Sequence, residues 1–118
     1  MLLVITLQRD STVESVASLV KKRVVRLNFD QNPCPDMSYE WDGKRFRHEF
    51  CGINLDEVTS VWFRLTTVWY WKKDSNPYHL FNRLSREEMA VHLHGLLEHA
   101  FWVSHPPAIK RAENKMLQ

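Results

Sequence analysis

Two strand-like runs bracket a short amphipathic helix at the start of the chain, and that order leaves few folds open. Leu2-Leu3-Val4-Ile5-Thr6-Leu7 is a continuous β-prone run. After Gln8-Arg9-Asp10 comes Ser11-Thr12-Val13-Glu14, a spacing in which Ser11 and Glu14 can satisfy each other's unpaired amides, and it predicts a helix start. Val13, Val16, Ala17, Leu19 and Val20 give that helix an apolar face, and Lys21-Lys22 suit its carboxyl end. Val24-Val25-Arg26-Leu27-Asn28-Phe29 then returns to strand residues. Two strands joined through one helix usually pair in parallel with a right-handed crossover. That sets the Arg9-Asp10-Ser11 loop at the carboxyl edge of the first strand, where ligands of such sheets bind.

The rest of the chain extends this α/β pattern. Met37-Ser38-Tyr39-Glu40-Trp41 and Lys44-Arg45-Phe46-Arg47-His48-Glu49-Phe50 alternate around Asp42-Gly43 and predict a hairpin. Val61-Trp62-Phe63 reads as the last buried parallel strand and delivers Arg64 at its carboxyl end. A long aromatic and polar loop runs from Leu65 to Leu84. Ser85-Arg86-Glu87-Glu88 then predicts the start of a helix with an apolar stripe of Met89, Leu93, Leu96, Leu97, Ala100 and Phe101, and Trp102 falls on the same helix. Pro106-Pro107 marks the one clear joint, so residues 1–104 form one domain. Beyond it Ile109, Ala112 and Met116 recur at helical spacing with nothing to pack against, and residues 105–118 read as a linker and the start of a further region that follows Gln118.

Composition narrows the function classes. The chain has 118 residues, 44% of them hydrophobic, which suits one small core. Sixteen Lys and Arg against 14 Asp and Glu give a net charge of +2, so no bulk field draws it to nucleic acid or a membrane surface. No run reaches the roughly 18 apolar residues of a spanning helix, and no basic leader precedes the first strand, which points to the cytoplasm. Cys34 and Cys51 lack metal-site spacing and read as reduced thiols. Three glycines, Gly43, Gly52 and Gly95, cannot build a phosphate loop. His92, His94, Glu98 and His99 lie on the second helix in divergent directions, so they read as a solvated or interface face and no metal is assigned. No nucleophile elbow or Cys-His pattern appears. Two places suit binding. Arg64 sits where a guanidinium can receive carboxylates or phosphates, and Trp69, Tyr70 and Trp71 beside Lys72-Lys73 suit a partner surface.

Three stretches together resemble the start of ATP-grasp peptide ligases of the microviridin or graspetide type. These are Ile5-Thr6 with Asp10-Ser11-Thr12, then Ser60-Val61-Trp62-Phe63-Arg64, and finally His105-Pro106 running to Ala112-Glu113-Asn114-Lys115-Met116-Leu117-Gln118. The resemblance implies a small Rossmann-like, pre-ATP-grasp α/β domain, mainly parallel with a hairpin and flanked by helices. It further implies an enzyme that uses ATP and Mg²⁺ to activate an acidic side chain as an acyl phosphate and close ester or amide rings in a ribosomal precursor peptide. By similarity Lys115 reaches the nucleotide phosphates, while the metal-binding residues belong to an ATP-grasp region beyond Gln118, so this chain alone is expected to be inactive. Leu65 stands where relatives often carry a second arginine. The implied partners are the precursor peptide and the carboxyl-terminal ATP-grasp domain, with homo-oligomerisation left open. The alternative is a free-standing peptide- or protein-binding module that docks through Trp69, Tyr70 and Trp71.

Overall fold

Strand β1 (Leu2–Thr6) lies between β2 (Val24–Asn28) and β6 (Ser60–Phe63), pairing in parallel with both. The structure is a computed structural model that describes residues 1–28, 37–64 and 79–113. Between β1 and β2 runs the helix α1 (Ser11–Ala17), so the expected β-α-β unit is present. A fourth parallel strand, β7 (Phe101–Val103), extends the sheet to the order β2-β1-β6-β7. The strand at Val61 was expected to be the last of the parallel set; three residues are too few to announce a further strand through periodicity.

A second, antiparallel sheet is made by β3 (Met37–Trp41), β4 (Phe46–Phe50) and β5 (Ile53–Asn54). Its first turn is held by Asp42, whose Oδ1 accepts from the backbone N–H groups of Lys44 at 2.9 Å and Arg45 at 3.0 Å. The second turn uses Cys51 (φ 48°) and Gly52 (φ 72°), two consecutive left-handed residues that match the twist of a tight hairpin. A single 3₁₀ turn, Leu55–Glu57, returns the chain to β6.

Alternation along the strands divides the buried side chains between two faces. Leu3 and Ile5 of β1, Leu27 of β2, and Val61 and Phe63 of β6 share one cluster with Phe50, Ile53, Leu55 and Val58 from the second sheet. Leu93 of the long helix α2 (His79–Leu96) and Leu97 just after it close that cluster, with Met89, Leu96 and Trp102 packed at its margin. Val4 and Val13, each 1% exposed, are buried outside it, which places α1 against the opposite face. The chain is thus a mixed α/β fold with a mainly parallel sheet, a separate antiparallel sheet and helices.

Element ends depart from the sequence reading in four places. Asp10, not Ser11, is the N-cap of α1, because its carboxylate accepts from the Val13 N–H. That helix ends at Ala17, and Leu19, expected on the core face, is exposed. Helix α2 starts at His79, so Ser85 lies inside it; a Ser-x-x-Glu spacing also occurs within helices, where the backbone amides already have partners. Trp102 and Phe101 belong to β7 and not to α2, with Phe101 exposed. The last helix, α3 (Pro106–Glu113), includes both prolines in its first turn, where a missing N–H costs nothing.

Candidate functional site

The carboxyl ends of β2, β1 and β6 lie side by side, and each supplies a polar side chain to one network. Thr6 ends β1, is fully buried, and donates from Oγ1 to Asp10 Oδ2 at 2.7 Å. Asp10 follows in the β1–α1 loop, where capping turns its carboxylate back over the sheet edge. Arg64 extends β6 by one residue, its backbone N–H donating to the Ile5 carbonyl at 2.8 Å. From there Nε donates to Asp10 Oδ2 at 2.7 Å and Nη2 to Oδ1 at 3.4 Å. The guanidinium carbon lies 5.0 Å from the centroid of the Trp62 ring, a cation–π arrangement that steadies the plane of the fork.

Electrostatics at this corner are set by the match between Asp10 and its donors. Burial opposes charge on the Asp10 carboxylate, yet the hydrogen bonds from Arg64 and Thr6, the Arg64 charge and the Val13 N–H together outweigh it and hold the carboxyl below its ordinary value of 3.8. Beside it, Arg26 of β2 donates from Nη2 to the carbonyls of Leu7 and Gln8, from Nε to Asn28 Oδ1 at 2.7 Å, and lies 3.5 Å from Glu14. Arg26 thereby fastens the β1–α1 loop that carries Asp10. Two guanidinium groups thus meet two carboxylates here, Arg64 with Asp10 and Arg26 with Glu14.

A guanidinium carries five N–H donors in a planar fork. The Arg64 side chain is 32% exposed, and its contact with Asp10 uses only part of the fork. Chemically, this is a preoriented arginine able to take a carboxylate or phosphate oxygen at the edge of a parallel sheet. Asp10 pairs with the group and orients it without enclosing it.

Of the site residues expected from sequence, Arg64 is where the strand reading put it. Trp69, Tyr70, Trp71 and Lys72, and likewise Lys115, lie outside the described residues. Sequence reasoning named the Asp10 loop as the ligand edge but did not pair Asp10 with Arg64, 54 positions away. Arg26 was read only as a strand residue, because alternation gives no sign that a polar position faces a loop. Of the histidines expected on this helix, His92 and His94 lie in α2 and His99 in the turn after it, and each meets a different element. His92 contacts the Tyr39 hydroxyl, His94 contacts His105, and His99 lies 3.1 Å from the Val58 carbonyl.

Among the described residues, no group of three or more His, Cys, Asp or Glu side chains converges as a metal site. Nor is any described helix long and apolar enough to cross a membrane. No family model matches the chain, and no curated protein matches it.

Proposed function

We propose that this chain is the amino-terminal α/β domain of a cytoplasmic ATP-dependent ligase that closes ester or amide rings in a ribosomal precursor peptide. The observation that carries the reading is Arg64. It ends the Ser60-Val61-Trp62-Phe63 strand, on which the family resemblance leans, and it is oriented by Asp10 at the edge where parallel α/β sheets receive ligands. An acidic peptide segment is the substrate class that such a fork suits.

The described residues do not fit ATP and Mg²⁺ by themselves. They include no cluster of carboxylates for the metal, and the three glycines make no phosphate loop. Nucleotide and metal are assigned to the ATP-grasp region of the proposed ligase, with Lys115 approaching the phosphates as the resemblance implies. The role of this chain is to hold and orient the peptide.

A second reading, a free-standing peptide- or protein-binding module, draws support from Tyr39, Trp41 and Phe46. All three are more than half exposed on the hairpin, where clustered aromatics mark contact surfaces. The coding sequence after Gln118 separates the two: continuation into an ATP-grasp region supports the ligase, and a stop codon supports the module. In the continued enzyme, supplied with ATP, Mg²⁺ and a co-encoded peptide, mass spectrometry should show the loss of one water per ring. Arg64→Ala should lower kcat/KM for the peptide by about 10 to 100-fold, roughly 1.4 to 2.7 kcal/mol. Arg23, exposed at the opposite end of β2 and paired only at 3.7 Å with Glu57, is the control. Equal effects of Arg64→Ala and Arg23→Ala would remove Arg64 from substrate recognition.

A further inference from the structure

The junction between β7 and α3 brings together two imidazoles that the sequence separates by 11 positions. His94 sits in the last turn of α2. His105 comes from the other side, turned back toward α2 by Ser104, whose φ of 60° reverses the chain just after β7. The backbone of His105 is fixed as well, since its carbonyl accepts from the N–H groups of Ala108 at 2.9 Å and Ile109 at 3.1 Å. Trp102 fills the corner between them. Its ring centroid is 5.1 Å from that of His94 and 5.9 Å from that of His105, and its Nε1 donates to the Leu97 carbonyl at 2.9 Å. The two rings cross at 78°, and their Nε2 atoms are 2.9 Å apart.

We propose that His94 and His105 are the two protein ligands of a surface site for a tetragonal divalent transition-metal ion of the copper(II) class. Neutral imidazole presents one lone pair per ring, and here both rings bring the same nitrogen to one point. At a metal–nitrogen distance of about 2.0 Å, two nitrogens at a right angle are about 2.8 Å apart, whereas a tetrahedral angle would spread them to about 3.3 Å. The observed 2.9 Å, also an ordinary spacing for an N–H···N hydrogen bond, is nearer the first value. Copper(II) also heads the affinity order for nitrogen sites. No third His, Cys, Asp or Glu joins the pair among the described residues, so water completes the coordination, and exposure of His105 leaves the ion a way in. Such an ion clips the end of α2 to the start of α3. The sequence reading assigned no metal because the pairs along the helix diverge and no third convergent ligand is evident there, whereas this pair spans two elements. The inference is independent of the ligase reading.

The test is a titration of the full chain with copper(II) supplied as its glycine complex, followed by electron paramagnetic resonance. One tightly bound ion with superhyperfine structure from two imidazole nitrogens is expected, with zinc(II) bound more weakly. His105→Gln, at an exposed position, and His94→Gln should each weaken binding by more than the roughly 10 to 100-fold typical of losing a mere orienting partner. His92→Gln and His99→Gln should leave it unchanged. Far-UV circular dichroism checks the fold of each variant, and if His94→Gln unfolds, His105→Gln alone decides. Copper(II) binding that is undiminished in His105→Gln, or no binding by the wild type, would overturn the site and leave a plain imidazole–imidazole hydrogen bond.

Discussion

Asp10 joins three parts of the chain through one carboxylate: the end of β1 through Thr6, the start of α1 through Val13, and the end of β6 through Arg64. Asparagine caps helices about as well as aspartate, so Asp10→Asn removes the charge while keeping the cap. The variant should lose about 1 to 3 kcal/mol at neutral pH, the usual range for a charge-assisted hydrogen bond in a partly buried setting. Because the folded carboxyl titrates below its ordinary value of 3.8, its contribution is fully present above that value and fades as pH falls through the lower, folded one. Urea denaturation from pH 7 down to below 3.8 should therefore show the two proteins converging, and parallel curves would mean that the pair adds no charge-dependent stability. The residue scale also shows where the sequence was readable. Arg64 could be named because strand and loop chemistry are local, while its partner could not, because pairing across 54 positions is fixed only by the parallel register of β1 and β6.

Helix α2 makes the corresponding case for whole elements. Its apolar period was legible, and the structure buries Leu93 to 1% and Leu97 to 0% exposure, while Val91, two positions from Leu93, is 73% exposed. Leu93→Ala or Leu97→Ala should cost about 2 to 5 kcal/mol through lost burial and the cavity left behind. Val91→Ala, which buries nothing, should stay within about 0.5 kcal/mol. Denaturant midpoints of the three variants give the check, and a Val91 effect as large as that of Leu93 would put the helix in the wrong phase. Its ends were far less legible than its face. The Ser85 spacing mimicked a cap inside a helix that begins at His79, and the stripe at Ala100 and Phe101 carried the helical period into what is a turn and a strand. Periodicity reports which face is buried; it does not report where backbone hydrogen bonding changes partner. That is also why the meeting of His94 and His105 was hidden, since it depends on β7 turning the chain back.

For the whole molecule, the decisive feature is that two sheets of different kind share one core. Phe50, fully buried at the base of the hairpin, lies in the same cluster as Leu3, Ile5 and Val61 of the parallel sheet and Leu97 beyond α2. The hairpin tip, by contrast, carries Trp41 and Phe46, which are 56% and 58% exposed and contact each other at a centroid distance of 4.9 Å. The hairpin is also tied to the rest of the chain by the contact of Tyr39 with His92 and by Arg45, 3.9 Å from Asp56, and an isolated antiparallel pair is marginal in water. The two sheets should therefore unfold together. Phe50→Ala should cost about 3 to 5 kcal/mol, and the loss should be felt by both sheets. Tryptophan fluorescence gives the local probe when Trp41 is retained and the other four tryptophans are replaced by phenylalanine, and far-UV circular dichroism reports the helices and the parallel sheet. Within that background, adding Phe50→Ala should shift both denaturation curves by the same amount while they stay superimposed, as a two-state transition requires. A fluorescence transition that runs ahead of the dichroism, or a Phe50→Ala shift confined to Trp41, would show the hairpin to be a separate unit. Its exposed aromatics would then belong to a part that can open without disturbing the Asp10–Arg64 edge.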